Sequence, residues 1–283
     1  MLNINLKLNS IKKKLFLASM LLVVIPVICI IIMMSIWVTN NSRKDFTGRA
    51  IGEMTQVNNV IDILLDNAIM NMEMMFNHPA MKRIDPSINN YSGRTEVTDL
   101  KTIKRSSVEQ ELFDFFRLIQ STHPDYVEIF TGTKWGGFLT SDLSVVKGGY
   151  NPTKRPWYAD AVNAGGKSLI SKAYLSTSGE NVISAVKAHK NSSGDVLAAG
   201  GIDINLSRLT EIINNLKIGK TGFLILTESD GIILAYPGKK EILSKNISEL
   251  GIPELTEGIK GKEATFYFNL EGKKRMAHVM TSA

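Results

Sequence analysis

The stretch GGYNPTKRPWY, residues 148–158, places one arginine, one tryptophan and two tyrosines between two glycines and two prolines. Aromatic residues make up only 7% of the chain, so this density is a local feature. The planar guanidinium of Arg155 presents a fork of donors that matches a carboxylate bidentately. Trp157 and Tyr158 supply apolar wall, and small-molecule pockets are mostly apolar with a few convergent polar groups. Farther along, Asp203 stands inside the apolar run LAAGGIDI, where a lone carboxylate is costly to bury without a partner. An ammonium group on a ligand would provide that partner, so the two charges together suit a zwitterion. The same residues also fit a packed aromatic corner in which Arg155 pairs with Asp160. Trp135, Ser184 and Asp160 are weaker pocket candidates, and Asp160 could equally cap the helix running through Ala161 and Val162.

The elements that must position these groups are strands. YVEIFTGT (126–133) and GGFLTS (136–141) flank a Lys134–Trp135 turn, and NVISAVKAHK (181–190) and DVLAAGGIDI (195–204) flank the polar loop NSSG. The arginine-bearing stretch and an excursion through Tyr174 lie between these two hairpins, and loops on a strand scaffold are where ligand groups collect. A short helix follows, with Leu206, Leu209, Ile213 and Leu216 on one face. The strand pattern then repeats in GFLILTESDGIILAYP (222–237), around Asp-Gly, and ATFYFNLEGKKRMAHVM (264–280), around Glu271–Gly272.

Upstream, Ile51, Met54, Val57, Ile61, Leu64, Ala68, Met72 and Met75 recur every three or four residues, predicting one long helix from Asn40 to about His78, closed by Pro79. Its methionines read as a packing seam. A second helix is expected near Ser107 to Gln120, with Phe113, Phe116 and Leu118 in its apolar set. Before both lies LFLASMLLVVIPVICIIIMMSIWV, Leu15 to Val38, 24 residues without a charge. As a helix it reaches about 36 Å, enough to cross a ~30 Å hydrocarbon core. It is too long for the ~7–15-residue core of a cleaved signal peptide, and Trp37 is placed as an interfacial anchor.

Lys7, Lys12, Lys13 and Lys14 precede the span without an acid, whereas Arg43 and Lys44 after it are partly offset by Asp45. The positive-inside rule therefore places residues 1–14 in the cytoplasm and everything after 38 outside. The same four lysines supply most of the net charge of +6, so the basic balance reports topology and argues for no nucleic-acid partner. Cys29, the sole cysteine, falls in mid-span, which leaves the exported part without disulfide or thiolate chemistry. His78, His123, His189 and His278 stand singly, without metal-ligand spacing. GKTG (219–222) lacks the preceding glycine of a phosphate-binding loop and reads as a turn. No carboxylate pair or Ser-His-Asp set emerges, so an anchored extracytoplasmic enzyme is the weaker class; no cofactor is implied.

From the span and long helix onward, residues 15–283, the chain resembles the extracytoplasmic double Cache (dCache) sensor domains of bacterial chemoreceptors and related membrane sensors. The specific part is an amino-acid-binding pattern: a tyrosine, four residues, R-x-W-Y, then a tyrosine and an aspartate downstream. It falls here on Tyr150, Arg155, Trp157, Tyr158, Tyr174 and Asp203. The resemblance implies that Tyr150, Arg155 and Trp157 hold a ligand carboxylate while Tyr158, Tyr174 and Asp203 surround its α-amino group. It also implies an α+β fold in which a transmembrane helix continues into a long helix carrying two PAS-like modules.

The expected boundaries are a cytoplasmic N-terminus (1–14), a span (15–38), a stalk helix (39–80), a ligand-binding distal module (81–205) and a proximal module (206–283). In this family's modules a fifth strand lies centrally between two hairpins. The proximal module supplies four, so the chain is expected to be a fragment of a longer receptor or a truncated product. The expected function is amino-acid sensing for a chemoreceptor-like protein in the cell membrane, with dimerisation through the long helix. Alternatives are the sensor region of a histidine kinase or diguanylate cyclase, or a non-signalling binding or interaction module.

Overall fold

The computed structural model describes residues 11–215, 218, 221–261 and 263–281. Lys7 and most of the expected cytoplasmic N-terminus, Leu216, and the Gly219–Lys220 pair of GKTG lie outside the described residues. The chain divides into two compact units, Met1–Ile51 and Gly52–Ala283. Helix α1 (Ile11–Asn77) begins in the first and ends in the second, and Pro26 lies within it without ending it. Over the uncharged run 15–38 its apolar side chains are exposed, Leu22 at 77% and Met33 at 68% among them. An 18-residue window reaches a mean hydropathy of 3.2, which makes α1 long and apolar enough to cross a membrane.

In the second unit the expected periodic row is the core face of α1: Val57, Ile61, Ala68, Met72 and Met75 are buried. Helix α1 stops at Asn77, and Pro79 opens a short helix α2 (Pro79–Lys82) as well as ending the previous one. Proline suits that first position, because the N–H it lacks would have had no partner there. Strand β1 (Thr98–Asp99) precedes helix α3 (Ser107–Thr122), whose N-cap Ser106 accepts from the Glu109 amide. Helix α3 buries Leu112, Phe116 and Ile119, spaced by four and three. Leu118, expected on that face, is 61% exposed; it sits two residues past Phe116, about 200° around the helix.

The sheet that carries the site is built from β2 (Tyr126–Thr133), β3 (Phe138–Thr140), β5 (Leu169–Ile170), β6 (Tyr174–Leu175), β7 (Asn181–Lys190) and β8 (Val196–Asn205), while β4 (Val145–Val146) pairs with β1. Its order is β3-β2-β8-β7-β5, with β6 also on β7, and all the pairings are antiparallel. The last strand in sequence is thus central. That position explains the apolar run in β8: both of its faces are covered. One face of the sheet, including Ile129, Ile183 and Ile202, packs against α1 and α3. The other, including Phe130, Phe138, Val186 and Ala199, packs under the segment that contains helix α4 (Pro156–Asn163).

After β8, Asn205 caps helix α5 (Leu206–Asn214), which buries Leu206, Leu209 and Ile213. The 222–237 hairpin is shorter than its pattern suggests, pairing only β9 (Leu226–Thr227) with β10 (Ile233–Ala235). Helix α6 (Pro253–Gly258) leads to the full-length hairpin β11 (Glu263–Leu270) and β12 (Lys273–Met280). Glu271 and Gly272, with φ of 53° and 74°, both take the left-handed conformation that a two-residue hairpin turn of matching twist requires. Among the described residues β9–β10 and β11–β12 are separate two-stranded sheets. The whole is an α+β fold with a long N-terminal helix.

Candidate ligand-binding site

The 148–158 stretch is held by its own punctuation. Tyr150 bridges to Tyr91, and the Asn151 side chain accepts from the Thr153 amide to start a single helical turn, Pro152–Lys154. Arg155 then occupies the N-cap of α4 in an extended conformation, and its side chain makes no capping bond. The guanidinium is therefore free to reach over the sheet. Pro156 sets the first turn of α4, which buries Trp157 and Tyr158.

The sheet beneath is cut to receive this segment. A Cβ on Gly132 would lie 2.3 Å from the Pro152 Cβ and 3.0 Å from the Trp157 ring, so only glycine lets both descend onto β2. Trp157 meets Phe130 nearly edge-on at 4.7 Å, and Tyr150 meets Phe138 at 4.6 Å. Phe130, Phe138 and Trp157 form the apolar floor.

Five of the six expected residues line one cavity: Tyr150, Arg155, Trp157, Tyr174 and Asp203, together with Glu128, Phe130, Phe138 and Thr177. Tyr158 does not; it is buried behind Trp157 at a ring distance of 5.6 Å. The reason is helical geometry, since consecutive residues of α4 point about 100° apart. Ser184 lies directly beneath the cavity, opposite Asp203 on β7, and donates to its Oδ1. Trp135 is 38% exposed and sits at the turn, outside the cavity. Asp160 lies inside α4 as neither cap nor partner of Arg155; with Asn163 and Lys172 it borders a separate open cleft of about 390 Å³.

The free space in the ligand cavity is only about 10 Å³, room for roughly one water. Its closure is polar. Arg155 Nη2 donates to the Leu175 carbonyl on β6 at 2.5 Å, and the Cζ lies 5.9 Å from both the Tyr150 and Tyr174 ring centres. The Tyr174 hydroxyl donates to Asp203 Oδ1 at 2.7 Å, and Thr177 donates to Glu128 Oε2 at 2.8 Å. Segment 174–177 is thus tied down over the cavity by these three hydrogen bonds.

Three polar atoms at this cavity are buried with no hydrogen-bond partner: Arg155 Nε, Tyr150 OH and Glu128 Oε1. Buried polar groups are paired in the large majority of cases, so three in one place single this cavity out. Burial raises the Asp203 carboxyl well above its ordinary range, with the nearby Glu128 charge adding to the effect. Burial likewise lifts Glu128 to about 7, against the pull of the Thr140 and Thr177 hydroxyls. The Tyr150 hydroxyl is raised by burial too, and next by the Glu128 charge.

Glu128 is the residue that motif reading passed over. Its signal was present, because it is the only charge in YVEIFTGT, the same anomaly that singled out Asp203 in β8. Register makes the two carboxylates cross-strand partners, Glu128 opposite Asp203.

The chain matches the Cache domain family dCache_1 over residues 43–282. It belongs to that family. This Cache chain is 27% identical, over its whole length, to a Bacillus thuringiensis protein named as a probable methyl-accepting chemotaxis protein, and spans 39% of that relative's length. Among solved structures, it is similar to the ligand-binding domain of the Pseudomonas fluorescens chemoreceptor CtaA in complex with L-serine. The TM-score is 0.60 at 21% identity, covering 80% of this chain and 86% of that one. The ligand-binding domain of the Pseudomonas aeruginosa amino acid chemoreceptor PctB in complex with L-Arg gives 0.54 at 22% identity, covering 78% and 80%. At those identities the likeness establishes the Cache fold.

Proposed function

We propose that this Cache chain is the extracytoplasmic ligand-sensing region of a chemoreceptor-like transmembrane protein, and that its distal module, residues 81–205, binds an amino acid. The observation that carries the reading is the set of unpartnered groups that line one cavity. Arg155 Nε and Tyr150 OH offer donors suited to a carboxylate. Asp203 and Glu128 offer acceptors suited to an ammonium. In this reading Trp157 is wall, Tyr174 shapes the ammonium end, and Tyr158 acts only by supporting Trp157. The solved relatives whose structures contain L-serine and L-Arg support the ligand class, and the relatives named as chemotaxis proteins support the output. The chain itself is non-enzymatic in this account.

A thermal-shift screen of the full chain in lipid nanodiscs, against each common L-amino acid in turn, tests the reading. Ligand at ~100 times its dissociation constant adds about 2.7 kcal/mol of stability. For a folded unit of this size that is a rise of several degrees in Tm. A screen in which no amino acid raises the Tm rules the reading out.

The remaining boundaries follow the same proposal: residues 1–14 cytoplasmic, 15–38 in the lipid bilayer, 39–80 a stalk and 206–283 a proximal module. The stalk also offers a dimer seam. Val60, Ile63, Met70 and Met74 are all exposed, with exposed Asn67 between them, at the alternating three- and four-residue spacing of a coiled-coil seam. One variant tests topology and pairing together. Ile63→Cys is expected to react with a membrane-impermeant maleimide in intact cells and to cross-link two copies under mild oxidation. A residue that reacts only after lysis overturns the topology, and one that never cross-links overturns this seam.

A further inference from the structure

The cavity carries more negative charge than one zwitterion requires. Glu128 on β2 and Asp203 on β8 are register partners, and residues so placed hold their Cβ atoms about 5 Å apart on one face. Both line the cavity, both are almost wholly buried, and among the described residues Arg155 is the only cation lining it. Like charges this close are not both ionised in a dry site without a cation between them. Phe130, Phe138 and Trp157 close the cavity's apolar side.

We propose that Glu128 and Asp203 form a proton-holding carboxyl pair, and that the ammonium of an incoming amino acid takes the place of that proton. The step balances simply. One carboxyl O–H bond is lost, its proton passes to solvent, and the ammonium N–H groups, unchanged, donate to the two carboxylates. Glu128 Oε1, buried without a partner, is the acceptor this arrangement fills. The inference rests on the amino-acid reading above and adds to it a receptor whose occupancy depends on external pH.

The surroundings agree in sign. Burial is the main cause holding the proton on both carboxyls. At Glu128, the Thr140 and Thr177 hydroxyls and Arg155 oppose it while Asp142 reinforces it. At Asp203, Glu128 reinforces it while Ser184, Tyr174 and Arg155 oppose it. Tyr150 and Tyr174, both raised, stay neutral around the pair. Binding requires the proton to leave, so affinity falls as pH drops through the raised range in which the pair holds it, by up to about tenfold per pH unit for one proton released.

The test is titration calorimetry of the full chain in nanodiscs with each common L-amino acid, run at several pH values and in buffers of different ionisation enthalpy. For every amino acid that binds, the expected result is release of a proton at pH 7 and an affinity that climbs with pH before levelling off. Glu128→Gln keeps the shape and removes one like charge, so Asp203 loses its proton more readily. The levelling-off point is expected to move to lower pH, with less proton released at pH 7. Binding with no proton release and an affinity flat across this range overturns the inference and leaves the amino-acid reading standing. An unaltered pH profile in Glu128→Gln also overturns it. Absence of binding by every amino acid overturns both.

Discussion

Arg155→Ala is expected to weaken amino-acid binding by at least ~30-fold while the fold survives. Truncating one partner of a desolvated charge pair costs ~2–5 kcal/mol, and each ~1.4 kcal/mol is a factor of ten in affinity. The fold should tolerate the change, because Arg155 is only partly buried and its guanidinium bonds to the Leu175 carbonyl, while its backbone bonds survive in alanine. Its Nε has no hydrogen-bond partner, so alanine removes that donor without breaking an internal bond. Arg155→Lys separates charge from geometry: lysine keeps the cation but offers no planar fork, so an intermediate loss is expected. Calorimetry on the full chain decides, and wild-type affinity in Arg155→Ala would remove this cavity as the amino-acid site.

Trp157→Ala is expected to act on stability first. The side chain is 2% exposed, packs on Phe130 and fills the hollow above Gly132. Deleting a buried aromatic of this size costs about 3–5 kcal/mol, because neighbours relax only partly into the space left. In a unit of this length that lowers the Tm by roughly ten degrees. Trp135→Ala is the matching control. Trp135 is 38% exposed, and Asn90 bonds its backbone carbonyl, a contact that alanine retains. Its Tm should stay within a degree or two. Thermal unfolding followed by far-ultraviolet circular dichroism checks both, and equal shifts in the two variants would mean that Trp157 is no core anchor.

The contrast between these tryptophans shows where sequence reasoning runs out. Both stand beside turns in glycine-rich company, and both are natural pocket walls by type. Only the path of the chain separates them: Trp157 follows Arg155 into a helix laid on the sheet, and Trp135 sits at the exposed end of the β2–β3 hairpin. Tyr158 teaches the same lesson inside a motif, since its helical position turns it away from the cavity that Trp157 faces. Leu118 repeats it on α3, where an apolar residue off the packing stripe is left in solvent.

What the sequence determined by itself was local: the uncharged run of α1, the three- and four-residue spacing of its buried face, the bounds of β2 and β7, and the Glu271–Gly272 turn. Each is set by side-chain period or backbone stereochemistry within a few residues, so no partner strand need be known. The tertiary structure alone decided which charges meet. Asp203 faces Glu128 because β8 enters the sheet between β2 and β7 in one particular register, and a one-residue slip would have turned every side chain of the strand to its other face. Pairing across a sheet joins residues 75 positions apart, through hydrogen bonds that carry no mark in either strand's own pattern. For that reason Asp203 could be singled out from its segment, while Glu128, bearing the same anomaly, acquired its meaning only from the fold.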